Sequence, residues 1–170
     1  MAKAYKVTSD PFFVNGNITE AGANTFGSTQ ISLPLDSLNQ EGVLVHAAYF
    51  TTTAPDNVAG NLTACRVQVT STLKTAIVGA NDANLIASRT TFVNGGAAEF
   101  SGPHIEDFIG SQAPYTEEDN LMIVATDDVF LGIEGANNAA PMSGQVRLVC
   151  SRVKLQAAAY AALVTNELSS

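Results

Sequence analysis

The strongest constraint on this chain is an apolar and polar alternation of period two that returns between Leu121 and Leu155. Successive side chains of an extended strand point to opposite faces, so this alternation selects sheet over helix. In 121–133 the odd positions Leu121, Ile123, Ala125, Val129, Leu131 and Ile133 share one face, which only Asp127 interrupts. A carboxylate on a core face needs a partner. Asp127-Asp128 is therefore expected at a tight turn between two short strands, or at a bulge in one long strand. In 145–155 the apolar set changes sides: Val146, Leu148 and Cys150 point one way, Val153 and Leu155 the other. A bulged strand, or one covered on both faces, carries such a pattern.

The same reading extends through most of the chain. Leu62 to Thr75 has the cleanest alternation, with Cys65, Val67, Val69 and Leu73 inward and Arg66, Gln68, Thr70 and Lys74 outward. Val43 to Thr53 is apolar on both faces and belongs in the middle of a sheet. Thr29 to Leu35 is a strand whose Pro34 places it at an edge or a strand end, and Leu85 to Val93 is another. Asn15-Gly16, between Phe12-Phe13-Val14 and Asn17-Ile18-Thr19, supplies the positive φ angles of a hairpin turn. Residues 94–120 are the least regular part, and a loop of that length is usually functional or interfacial. Gln156 to Leu168 is alanine-rich, with Tyr160, Leu163 and Val164 at helical spacing. A helix of about 13 residues is marginal alone and must dock on something.

The expected fold is all-β: an antiparallel two-sheet sandwich, arranged as a single jelly roll, with a short C-terminal helix. It forms one domain over 1–170, with an N-terminal arm or hairpin at 1–20 and a tail at 156–170.

Charge narrows the function classes. Charged residues make up 14% of the chain, against a usual value of about 25%. A surface with so few charges is common in strand-rich proteins and in proteins covered by identical neighbours. The net charge of −8 repels phosphate backbones, so bulk nucleic-acid binding is not expected. Nine acids and no Lys or Arg lie between Arg89 and Arg147: Glu99, Glu106, Asp107, Glu117, Glu118, Asp119, Asp127, Asp128 and Glu134. No apolar run has the length of a membrane span, and the N-terminus lacks the apolar core of a signal peptide. Synthesis in the cytoplasm is expected.

Catalytic signatures are absent: there is no nucleophile elbow, phosphate-binding loop, dinucleotide fingerprint or H-E-x-x-H. The chain is not expected to be an enzyme. His46 reads as a structural histidine inside a strand. His104, Glu106 and Asp107 place an imidazole beside two carboxylates, the chemistry of a hydrolase or a metal centre, but without a distinctive spacing. Glu117, Glu118, Asp119, Asp127 and Asp128 offer oxygen ligands for Ca²⁺ at a subunit boundary, set against the plainer reading of a solvated acidic patch. Arg66, Arg89 and Arg152 are candidates to meet that patch on a neighbouring copy, and Tyr160 and Leu163 are candidates for a contact made by the tail. Cys65 and Cys150 read as buried free thiols, with a disulfide as the other possibility.

The strand series 29–35, 43–53, 62–75, 85–93 and 121–155, the few charges, the Thr/Asn/Ala/Gly-rich loops and the appended tail together resemble the single jelly-roll coat proteins of tailless icosahedral viruses. The resemblance is architectural and brings no functional residue with it. It implies many copies closing into a virion shell, with the chain itself and other virion proteins as partners. The chain departs from coats that package RNA in lacking a basic arm, so direct genome binding is not expected. Alternatives are a phage tail-tube or decoration protein, and a non-catalytic carbohydrate- or ligand-binding sandwich. Against the last stand the absence of Trp and the scarcity of Tyr, which occurs only at Tyr5, Tyr49, Tyr115 and Tyr160.

Overall fold

The computed structural model describes residues 5–36, 39–95, 103–108 and 120–168, with 103–108 and 168 as backbone only. Among these residues the strands are β1 (Tyr5–Val7), β2 (Phe12–Thr19), β3 (Gly27–Ser32), β4 (Glu41–Thr52), β5 (Leu62–Thr70), β6 (Leu85–Asn94), β7 (Pro103–Phe108), β8 (Met122–Val124), β9 (Asp128–Ala136) and β10 (Ser143–Leu155); α1 (Ala157–Leu168) follows. Every strand pairing is antiparallel. In the first sheet β10 lies between β4 and the β1/β2 edge, and β8 closes the far side. β1 and β2 occupy successive stretches of one edge of β10, pairing with Val153–Leu155 and Ser143–Cys150. The second sheet runs β3-β9-β5-β6-β7.

The chain crosses between sheets from β2 to β3, β3 to β4 and β4 to β5, stays in one sheet from β5 through β6 to β7, and crosses again from β7 to β8, β8 to β9 and β9 to β10. That winding, with the spatial orders β2-β10-β4-β8 and β3-β9-β5-β6, is a single jelly roll. β7 is an added edge strand beside β6. The expected fold class is the observed one.

Between the sheets lies one apolar core. Val14, Val45, Phe50, Leu148 and Cys150 of the first sheet meet Ile31, Val67, Val69, Leu131 and Ile133 of the second. Two glycines let the sheets approach at one end. A Cβ on Gly16 would collide with Ile31, and one on Gly144 would stand 2.6 Å from Val67 Cγ1. This overturns the expected hairpin at Asn15-Gly16. β2 runs straight through that pair, with Asn15 opposite Arg147 and Gly16 opposite Val146. The glycine serves close packing, not a turn.

β4 is central, as its two apolar faces suggest. Its register with β10 slips between Val149 and Cys150, which leaves His46 as the unpaired residue of a bulge. The bulge reverses the strand's parity. Val43 and Val45 face the core before it, and Ala48 and Phe50 after it. The change of sides in 145–155 has another cause: β10 is covered on both faces. Its Val153 and Leu155 join Leu44 and Ala125 in a second cluster on the outer face of the first sheet, packed against Tyr160, Leu163 and Val164 of α1.

Other expectations are corrected. Asp127 does lie at a bend between two strands, β8 and β9, as expected of a turn there, but the two strands belong to different sheets, so the pair marks a crossing between sheets and not a bulge in one strand. Leu73 does not face the core: β5 ends at Thr70, and Leu73 is 62% exposed beyond it. The irregular segment 94–120 contains β7, which pairs with β6 from Ser88 to Val93. Its positions 96–102 and 109–119 fall outside the described residues.

Candidate binding face

The outer face of the first sheet has two halves. Near the β1 end α1 covers it. Further along, the pairing of β2, β10 and β4 sets outward residues in rows: Phe13, Val149 and Ala47, then Asn15, Arg147 and Tyr49, then Asn17, Gln145 and Thr51. All of these except the buried Ala47 line a shallow groove of about 850 Å³. Phe13 is 62% exposed and Tyr49 43%. The Arg147 guanidinium lies over the Phe13 ring, 5.4 Å from its centroid, and its Nε donates to Asn15 Oδ1 at 3.0 Å. A cation over an aromatic face is attracted by the ring quadrupole, so both contacts fix the plane of the guanidinium. Chemically the face offers an oriented cation, two flat rings and four uncharged hydrogen-bonding side chains, Asn15, Asn17, Thr51 and Gln145.

None of these residues was singled out by sequence reasoning. The available signal was parity. Phe13 and Arg147 alternate with core residues Val14 and Leu148, so each must face outward. Reading Asn15-Gly16 as a turn hid that, and the His46 bulge hid the outward direction of Tyr49.

The residues chosen from the sequence are placed elsewhere. Glu117, Glu118 and Asp119 lie outside the described residues. Asp127 is exposed, and Asp128 accepts a hydrogen bond from Ser32 Oγ at 2.9 Å. Among the described residues no three His, Cys, Asp or Glu side chains gather as metal ligands. Arg66 pairs across strands with Glu134 at 3.9 Å, both partly exposed, a geometry that contributes little. Arg89 donates through Nη1 to the Phe50 carbonyl at 2.7 Å, joining β6 to β4 across the sandwich. Arg152 is half-buried, and its backbone N–H donates to Ser9 Oγ. Tyr160 and Leu163 are half-buried against the chain's own sheet, which leaves only their outer edges for a neighbour. His104, Glu106 and Asp107 sit on β7 opposite Phe92, Thr90 and Arg89, and their side chains lie outside the described residues.

His46 is buried, with Nδ1 2.8 Å from Asn120 Oδ1 and Nε2 2.9 Å from Ser151 Oγ. Cys65 and Cys150 are free and buried in the core. Burial pushes both thiols up to about 12, helped at Cys65 by the nearby Glu20 carboxylate. Thiols held protonated are poor nucleophiles and poor metal ligands.

Taken with its fold, this is a jelly-roll sandwich that presents a mixed aromatic and polar sheet face. No family model matches the chain, and no curated protein matches it. Among solved structures it is similar to a chain from Desmodium yellow mottle tymovirus, with 11% identity over 89% of this chain and 94% of that one and a TM-score of 0.32. A likeness of that degree carries over neither a residue nor a role. No helix among the described residues is long and apolar enough to cross a membrane.

Proposed function

We propose that the chain is a viral structural protein, a coat subunit that assembles with copies of itself, and with other virion proteins, into a shell. The strand order carries this reading. A single jelly roll gives a rigid wedge of two sheets whose loops gather at its ends, and it is an architecture used by capsid proteins, alongside lectins and cupins. The sparse charge supports the same reading, since identical subunits cover one another with little desolvation of ions. The acidic balance argues against a coat that condenses nucleic acid directly. Ca²⁺ bridging acids of adjacent copies remains part of the proposal, as do contacts of Arg66 and Arg152 with a neighbour's acids. Tail-tube and decoration proteins share these features, and the shape of the assembly separates them from a shell.

Light scattering and negative-stain microscopy of the purified chain test the reading. Closed shells are the expected result. Tubes would replace the shell with a tail-tube role, and a strict monomer at high concentration would overturn self-assembly. Assembly indifferent to a chelator would remove the bridging cation.

A further inference from the structure

We propose that the open half of the first sheet's outer face binds a carboxylate-bearing sugar, such as a sialic or uronic acid residue at the end of a glycan. Charge complementarity sets the ligand's sign. The chain carries 16 acids against 8 Lys and Arg, yet among the described residues no Asp or Glu lines this groove, and Arg147 stands at its centre. The stacking on Phe13 and the bond to Asn15 hold the guanidinium through one face and one edge. Its terminal Nη1 and Nη2 have no partner among the described residues. That free edge is the fork that matches a carboxylate in a bidentate pair.

The surroundings set the ligand's kind. A simple anion needs only the fork. Here the fork is flanked by the exposed rings of Phe13 and Tyr49, which lie on the strands either side of β10. Flat rings suit the C–H faces of a pyranose, burying apolar area while leaving hydroxyls free to bond sideways. Asn17, Gln145 and Thr51 form the next row and supply donors and acceptors for those hydroxyls. The groove's size falls within the range of small-ligand sites, about 300–1,000 Å³. Being open, it favours a glycan terminus lying across it over a buried metabolite. Arg147 is already oriented, so little side-chain freedom is lost on binding. The site belongs to one subunit and does not depend on assembly.

The test is a titration of the isotope-labelled full chain with sialyllactose, followed by amide shifts, with lactose and sodium acetate as comparison probes. It is run below the concentration at which light scattering detects association, so failure here leaves the coat reading standing. Expected are saturable shifts at Phe13, Asn15, Tyr49, Gln145 and Arg147 with sialyllactose, and binding at least about tenfold weaker for lactose and for acetate. Arg147→Gln weakens sialyllactose about tenfold, Tyr49→Ala by a similar factor, and Lys74→Gln, beyond the end of β5 and away from the groove, has no effect. Arg147→Lys, which keeps the charge and loses the fork, falls between wild type and Arg147→Gln, and it supplies the test if the Gln variant fails to fold. Equal binding of lactose would make this a neutral-sugar face and overturn the proposal. Equal binding of acetate would make it a bare anion site. Shifts that follow protein concentration without sugar would make it a contact between copies. Any of these, or an Arg147→Gln variant that binds like wild type, sinks the assignment.

Discussion

Replacement of Glu20 should cost more than that of any other acid in the described chain. Its side chain is buried directly after β2. Oε1 accepts from the Thr25 N–H at 3.1 Å and the Gly135 N–H at 2.6 Å, and Oε2 accepts from the Met142 N–H at 2.7 Å. One carboxylate thus ties the loop after β2 to the end of β9 and to the entry into β10. In Glu20→Gln the amide oxygen satisfies the side with two donors, and the amide nitrogen then confronts the Met142 N–H. One charge-assisted bond is lost, about 1.5–3 kcal/mol, and a buried N–H is left without an acceptor. We expect a loss of about 2–3 kcal/mol for Glu20→Gln, and about 4 kcal/mol or more for Glu20→Ala, which orphans all three donors. For a chain of this size the Gln variant should melt about 4–12 °C below wild type. The chain has no Trp, so urea unfolding is followed by far-UV circular dichroism and tyrosine fluorescence. A Gln variant within about 0.5 kcal/mol of wild type, the ordinary range of surface changes, would refute the reasoning. Unchanged exchange protection at the Met142 amide would refute it equally.

Three further outcomes are expected. Gly144→Ala should destabilise by about 1–3 kcal/mol, because its Cβ meets Val67 Cγ1, and adding Val67→Ala should recover part of the loss relative to Val67→Ala alone, as urea unfolding would measure. Cys65 and Cys150, with thiols pushed up to about 12 by burial, should ignore a thiol reagent at mildly alkaline pH in the folded chain and both react once urea unfolds it. Glu167 is buried where α1 meets the sheet and accepts from the Ala125 and Thr126 N–H groups at 3.2 and 3.0 Å. Desolvation raises its carboxyl above the usual 4.5, against the lowering effect of those bonds. The folded state then holds this proton more tightly than the unfolded state, so its contribution to stability is complete below the ordinary carboxylate range and falls as pH rises through the shifted value. Protection factors across α1, with the intrinsic pH dependence of exchange divided out, should fall over that interval in the wild type and stay level in Glu167→Gln.

Alternation was legible in the sequence where one sheet face packs and the other meets polar surroundings. β5 shows this in Cys65, Val67 and Val69, and β9 in Val129, Leu131 and Ile133. The tail helix was legible from Tyr160, Leu163 and Val164, and the need for it to dock followed from its length; its seat on the chain's own sheet was not. Three kinds of information were missing. The Asn15-Gly16 pair has strong local turn propensity, and only the closeness of Ile31 in the other sheet explains a glycine inside a strand. An extra residue such as His46 leaves no mark in composition, so the parity of β4 beyond it could not be assigned. Glu20 reads as an ordinary acid beside a loop, because its three partners are backbone N–H groups and carry no side-chain signature. Arg89 reads from the sequence as a candidate to meet a neighbouring copy's acids, whereas a carbonyl of the opposite sheet accepts from its guanidinium.

The His46 bulge connects the fold to the proposed face. Had β4 continued in phase from Val43 and Val45, Ala47 and Tyr49 would have entered the core and Phe50 would have turned outward. The extra residue reverses this: Phe50 is buried and the Tyr49 ring stands beside Arg147. A bulge needs its unpaired residue held, and His46 is held through both ring nitrogens, by Ser151 on β10 and by Asn120 at the approach to β8. Those partners lie at the boundary between the half of the sheet that α1 covers and the half left open. A residue that reads as a core histidine therefore sets which aromatic ring of β4 meets solvent. Its replacement by Ala, which can make neither bond, should disturb the groove through Tyr49 while leaving Arg147 and Phe13, on β10 and β2, in place.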